Sequence, residues 1–179
     1  IIIVGGMANN ILNHKGNQIG KSVKEENCEK IIEEIFETSK HYSCSITYPM
    51  DVLVGKNLNS VSKVKELNEI DEDDLILDIG PKTINAIKKV IENSETVLWN
   101  GPAGYFENPN FANGSYEIAK AIIKKNKKKS IYSVVGGGDT IALINRIKAI
   151  EDFNFVSTAG GAFLEYLEGK DLPGIKALS

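Results

Sequence analysis

The chain has 179 residues, long enough for one α/β domain with a real core or for two very small domains. Its 21 basic and 24 acidic side chains leave a net charge of −3, so no basic field marks it for nucleic acid or an anionic membrane. No apolar run reaches the roughly 18 residues of a membrane span, and Cys28 and Cys44, without His or Cys at metal-ligand spacing, read as reduced, buried or half-buried thiols of a cytosolic protein.

In chain order, Ile1-Ile2-Ile3-Val4 reads as a buried strand, turned by Gly5-Gly6 into a helix that begins at Met7. It has neither a starting methionine nor a signal-peptide n-region, and a chain that opens inside a strand is expected to be a piece of something longer. Ser22 and Glu25 have the spacing of a capping box. Ile31, Ile32, Ile35 and Phe36 then give residues 28–40 an apolar helical face. Ser45–Thr47 and Asp51–Val54 are extended on either side of Pro49. Residues 57–74 are polar and end in Asp71, Glu72, Asp73 and Asp74, the pattern of a solvated surface excursion.

Leu75–Ile79 is the next strand, followed by Gly80-Pro81 and an amphipathic helix opened by Thr83. Glu95–Trp99 is another, leading into Asn100-Gly101-Pro102-Ala103-Gly104 and, after a loop through Phe111, a helix closed by five lysines between 124 and 129. Ile131–Val135 enters Gly136-Gly137-Gly138, then Asp139-Thr140 and a helix; Phe153–Val156 enters Ser157-Thr158-Ala159-Gly160-Gly161 and a last helix.

An apolar strand thus runs into a glycine-bearing turn at Gly5, Gly80, Gly101, Gly136 and Gly160. Alternating strands and helices predict an α/β fold with a mostly parallel sheet and helices on both faces. The glycine turns then fall outside the carboxyl ends of the strands, where open α/β sheets bind ligands. A strand, a bare turn and a helix N-terminus offer backbone N–H groups and a positive dipole end to an anion. Asp139 stands where a magnesium ion can bridge to that anion, and Thr140 adds a hydroxyl. Two other motifs fail. Gly16–Ser22 resembles a Walker A loop but has three residues between its glycines where four are needed, and position 141 is Ile where a dinucleotide fingerprint needs glycine. An NAD-dependent dehydrogenase is therefore disfavoured.

In series, Gly5-Gly6-Met7-Ala8, Ile19-Gly20-Lys21-Ser22, Asp78-Ile79-Gly80-Pro81-Lys82-Thr83, Trp99-Asn100-Gly101-Pro102, Gly136-Gly137-Gly138-Asp139-Thr140, Ser157-Thr158-Ala159-Gly160-Gly161 and Leu167–Gly174 resemble the carboxy-terminal, nucleotide-binding domain of phosphoglycerate kinase. The resemblance runs the whole chain in order, so residues 1–179 are expected to form that domain as a Rossmann-like three-layer sandwich. It implies magnesium-dependent phosphoryl exchange between ATP and 3-phosphoglycerate, giving ADP and 1,3-bisphosphoglycerate, in cytoplasmic glycolysis. By position, Gly5, Gly6 and Gly80 line an adenine slot, Asn100 and Pro102 border the nucleotide, and Glu107 accepts from the ribose hydroxyls. Gly137, Gly138 and Thr140 follow the phosphates, Asp139 faces the Mg2+, and Gly160 and Gly161 hold charge on the transferring group.

The departures matter too. Val4 stands at the family's first glycine, or one residue is absent there, and a valine beside the base slot is expected to weaken adenine binding. The family's amino-terminal half, which grips 3-phosphoglycerate, has no counterpart here. This portion alone is therefore expected to be inactive and its full-length relatives monomeric; the alternative is a non-catalytic split or decayed fragment that at most binds nucleotide.

Overall fold

A computed structural model describes residues 1–178, and its helices and strands confirm the α/β class. The chain divides into two compact units, one of residues 1–90 with 102–118, the other of 91–101 with 119–178.

The first unit holds α1 (Gly5–His14), α2 (Glu29–His41), β1 (Asp51–Gly55), β2 (Lys63–Glu66), β3 (Leu75–Ile79) and most of α3 (Pro81–Glu92). Its three-stranded sheet has the order β2-β1-β3, and both pairings are antiparallel, a sheet that the strand–helix alternation does not announce. The polar 57–74 excursion supplies β2. Val52 and Val54 of the central strand are buried with Leu12, Ile19 and Ile70. Antiparallel register brings the start of β1 beside the end of β3, with Val52 opposite Ile79. That register delivers Asp51 to the first turn of α3.

Three local expectations change. Residues 1–4 form no strand of a sheet: Ile2 makes a single parallel bridge to Thr47. Val4 is already the N-cap of α1, and Pro49, just past Thr47, has no N–H to continue a ladder. Ser22 caps no helix; its hydroxyl donates to the Ile19 carbonyl and accepts from the Ile76 N–H at 2.8 Å, fastening its loop to β3. Of the apolar stripe on α2 only Ile32 is buried, while Ile31 and Ile35 border an open groove of about 360 Å³ with Ile1 and Ile46.

The second unit holds β4 (Thr96–Asn100), the later turns of α4 (Asn113–Lys127), β5 (Tyr132–Gly136), α5 (Gly138–Arg146), β6 (Phe155–Val156), α6 (Gly161–Leu167) and α7 (Pro173–Lys176). Here the predicted parallel pairing holds, in the order β4-β5-β6, with Asn100 opposite Gly136. Trp99, Ser133 and Val135 face the covered side and are buried; Leu98, Tyr132 and Phe155 on the other side are about half exposed. Lys125 does not present its charge to solvent. Its ammonium donates to the carbonyls of Glu92 and Ser94 at 2.8 and 2.6 Å, where a cation suits the end of α3.

Candidate functional site

The N-termini of α1, α3, α4, α5 and α6 fall into two kinds. At α3, after Gly80, the carboxylate of Asp51 accepts from the Lys82 N–H at 2.9 Å, the Thr83 N–H at 2.8 Å and the Thr83 hydroxyl at 2.7 Å. A Cβ on Gly80 would lie 2.3 Å from the Asp51 carboxyl carbon, so the bare backbone there makes room for the protein's own carboxylate. The anion that the sequence pattern invites to this corner is already supplied.

A second internal carboxylate meets the start of α4. Asp78 is buried in β3 and accepts from the Ile79 N–H at 2.9 Å and from the Gly114 N–H at 2.8 Å. Burial dominates its ionisation and pushes the carboxyl up to about 7, against the pull of the two N–H donors. The segment that leads to α4 carries two of the sequence-derived residues: Pro102, whose carbonyl lies 3.1 Å from where a Cβ on Gly5 would sit, and Glu107, which is exposed. Gly5, Gly6 and Pro102 thus gather at the N-terminus of α1, which has no side-chain cap and whose Gly6 opens on free space.

In the second unit, the ends of β4 and β5 bring Asn100, Gly101 and residues 136–140 together. The Thr140 hydroxyl is buried and accepts from the Gly101 N–H at 2.7 Å, tying the β4 corner to the first turn of α5. Gly137, the N-cap of α5, has φ +86°, and a Cβ there would lie 2.9 Å from the Asn100 side-chain oxygen. Nothing caps this helix through a side chain, Gly138 faces open space, and Asp139 is exposed in the first turn. Gly160 and Gly161 open α6 in the same bare way, though that helix has only 7 residues.

The acidic run 71–74 keeps the solvated face expected of it at Asp71, Glu72 and Asp73, which are exposed; the exception is its last member. Asp74 is buried; burial raises its carboxyl, but hydrogen bonds from Lys56 and Lys65 outweigh that and hold it down to about 2. Asp71, Asp73 and Asp74 are close enough to share a cation, but the ammonium groups of Lys56 and Lys65 already stand among them, at 2.5 to 3.6 Å. Asp51 and Asp78 escaped the sequence reading. Their signal is an acid within an apolar strand run, as in Leu75-Ile76-Leu77-Asp78-Ile79, which burial makes unaffordable without donors.

The fold and these corners define an α/β protein that leaves some helix N-termini bare and closes others with its own acids. The phosphoglycerate kinase family matches residues 1–170, and the chain belongs to that family. The phosphoglycerate kinase of Azorhizobium caulinodans is 42% identical over 180 residues, covering 99% of this chain and 46% of that protein. That of Zymomonas mobilis is also 42% identical, with 99% and 45% covered. Among solved structures, phosphoglycerate kinase from Coxiella burnetii superposes with a TM-score of 0.91 at 38% identity, over 99% of this chain and 46% of that one. The Pyrococcus horikoshii enzyme gives 0.73 at 27%, over 99% and 44%. The chain spans about half the length of the curated relatives it matches. No helix of the described residues is long and apolar enough to cross a membrane.

Proposed function

We propose that residues 1–179 are the nucleotide-binding part of a phosphoglycerate kinase, taking ATP or ADP with Mg2+ for phosphoryl exchange with 3-phosphoglycerate. The observation that carries this reading is the partition of the helix N-termini. α3 and α4 receive internal carboxylates, whereas α1, α5 and α6 keep bare glycine openings without side-chain caps, and these coincide with the family motifs.

In this reading Gly5, Gly6 and Gly80 line the adenine, Asn100 and Pro102 border the nucleotide, Glu107 accepts from the ribose hydroxyls, and Gly137, Gly138 and Thr140 follow the phosphates. Backbone N–H groups at the start of α5 orient phosphate oxygens, and those of Gly160 and Gly161 hold charge on the transferring group. Asp139 fits a hard cation: it is an exposed carboxylate in the first turn of α5. Magnesium, when bound, neutralises phosphate charge. Because relatives are about twice as long, the proposal gives 3-phosphoglycerate to the rest of such a protein and nucleotide binding alone to this portion.

Calorimetry with Mg-ADP tests it, comparing the chain with its Asp139→Ala and Glu107→Ala variants. Each variant is expected to bind about tenfold to a hundredfold more weakly, the range of one hydrogen bond to a charged group. Equal affinities for all three, or no binding by the parent chain, would overturn the reading.

A further inference from the structure

Asp78 reaches both ends of the segment 104–114. At the near end a Cβ on Gly104 would lie 2.5 Å from its Oδ1; at the far end a Cβ on Gly114 would lie 2.3 Å from the same atom, and the Gly114 N–H donates to Oδ2 at 2.8 Å. Only glycine fits at either place. The clamp is completed by the Tyr105 N–H on the Leu77 carbonyl at 2.7 Å and the Ala103 N–H on the Ser115 hydroxyl at 2.8 Å. Glu107 stands on the segment so gathered.

We propose that Asp78 is a positioning residue for the nucleotide: its ionised side chain fixes the base of the 104–114 segment and thereby holds Glu107 where ribose hydroxyls can donate to it. The inference rests on the nucleotide reading above. A carboxylate accepts from the Ile79 and Gly114 N–H groups together. A carboxylic acid turns one oxygen into a donor, and a proton on Oδ2 opposes the Gly114 N–H and loosens the far end of the segment. Asp51 on β1 is turned to α3, Glu117 on α4 pairs with Lys88, and Tyr105 and Glu107 ride on the segment itself. Burial outweighs the pull of the Gly114 and Ile79 N–H groups, which is why the Asp78 carboxyl titrates at about 7.

Two measurements on the intact chain test this. In the first, amide resonances are followed from pH 5.5 to 8.5, a range that brackets about 7; the Gly114 and Glu107 amides are expected to titrate together. A Gly114 amide that titrates while Glu107 stays still overturns the inference, whatever nucleotide does. The second uses adenosine, which has no phosphate to titrate. With only the ionised form competent, binding is expected to be about tenfold weaker at pH 6 than at pH 8, and Asp78→Asn to bind weakly with no pH dependence. Unchanged binding and slope in Asp78→Asn would overturn the inference. Failure of adenosine and of Mg-ADP at every pH, with the two amides still moving together, would overturn the nucleotide reading and leave the clamp standing.

Discussion

Thr83 gives Asp51 both of its donors, the hydroxyl at 2.7 Å and the N–H at 2.8 Å, while its hydroxyl oxygen accepts from the Met50 N–H at 2.9 Å. The pair locks β1 to the first turn of α3 with neither side chain exposed. Asp51→Ala would strand two N–H groups and a hydroxyl, and is expected to lower stability by about 2–4 kcal/mol. Thr83→Val should lower it by about 1–3 kcal/mol, because a carboxylate loses one donor. A urea-unfolding double-mutant cycle should return a coupling of about 1 kcal/mol or more; additive losses would mean that the two side chains act separately.

The buried acids set opposite pH dependences. Asp78 titrates at about 7 when folded and near 3.8 when unfolded, so the folded state holds the extra proton between those values. Its contribution is therefore full below pH 4 and is lost as pH rises through 7, up to about 4 kcal/mol in all. Asp78→Asn is expected to remove that downward slope between pH 4 and 7 in urea unfolding.

Asp74 runs the other way. Its folded value of about 2 lies below the unfolded 3.8, so its contribution is present above pH 4 and fades as pH falls toward 2. Lys56→Met together with Lys65→Met should flatten the acid limb of the stability curve below pH 4, while burial lifts the unpaired Asp74 carboxyl and steepens the fall above pH 4. An unchanged acid limb would show that the lysines do not hold Asp74.

The strand–helix rhythm and the glycine corners were legible because they depend on neighbours in sequence: a β-branched run, a residue without Cβ, an amphipathic period. Antiparallel β1 was not, because its partners β2 and β3 are chosen by tertiary pairing, and residues 57–74 show mainly their charge. The same blindness hid Asp51 and Asp78. Each looks like an isolated polar residue until register sets it against a helix start more than 30 residues away. Trp99, at the end of the strand read from sequence, is buried near Phe153 with ring centroids 6.4 Å apart. Lys125 was legible as one of the lysines that close α4, but not its contact with the Glu92 and Ser94 carbonyls, because sequence does not show whose carbonyls a helix-ending cation meets.

Adjacent glycines at the start of α5 separate folding from binding. At Gly137, φ is +86° and a Cβ would sit 2.9 Å from the Asn100 oxygen, so Gly137→Ala is strained in its backbone and must push Asn100 aside. A loss of about 1–2 kcal/mol in unfolding free energy is expected. Gly138 is helical, and its Cβ would meet nothing within 4 Å, so Gly138→Ala should leave stability within about 0.5 kcal/mol of the parent or raise it slightly. If phosphate oxygens approach this backbone, the added methyl nevertheless intrudes on their path, and Mg-ADP binding by Gly138→Ala should weaken about tenfold with folding intact. A Gly138→Ala chain that melts and binds like its parent would place the phosphates away from the α5 N-terminus, whatever the rest of the chain binds.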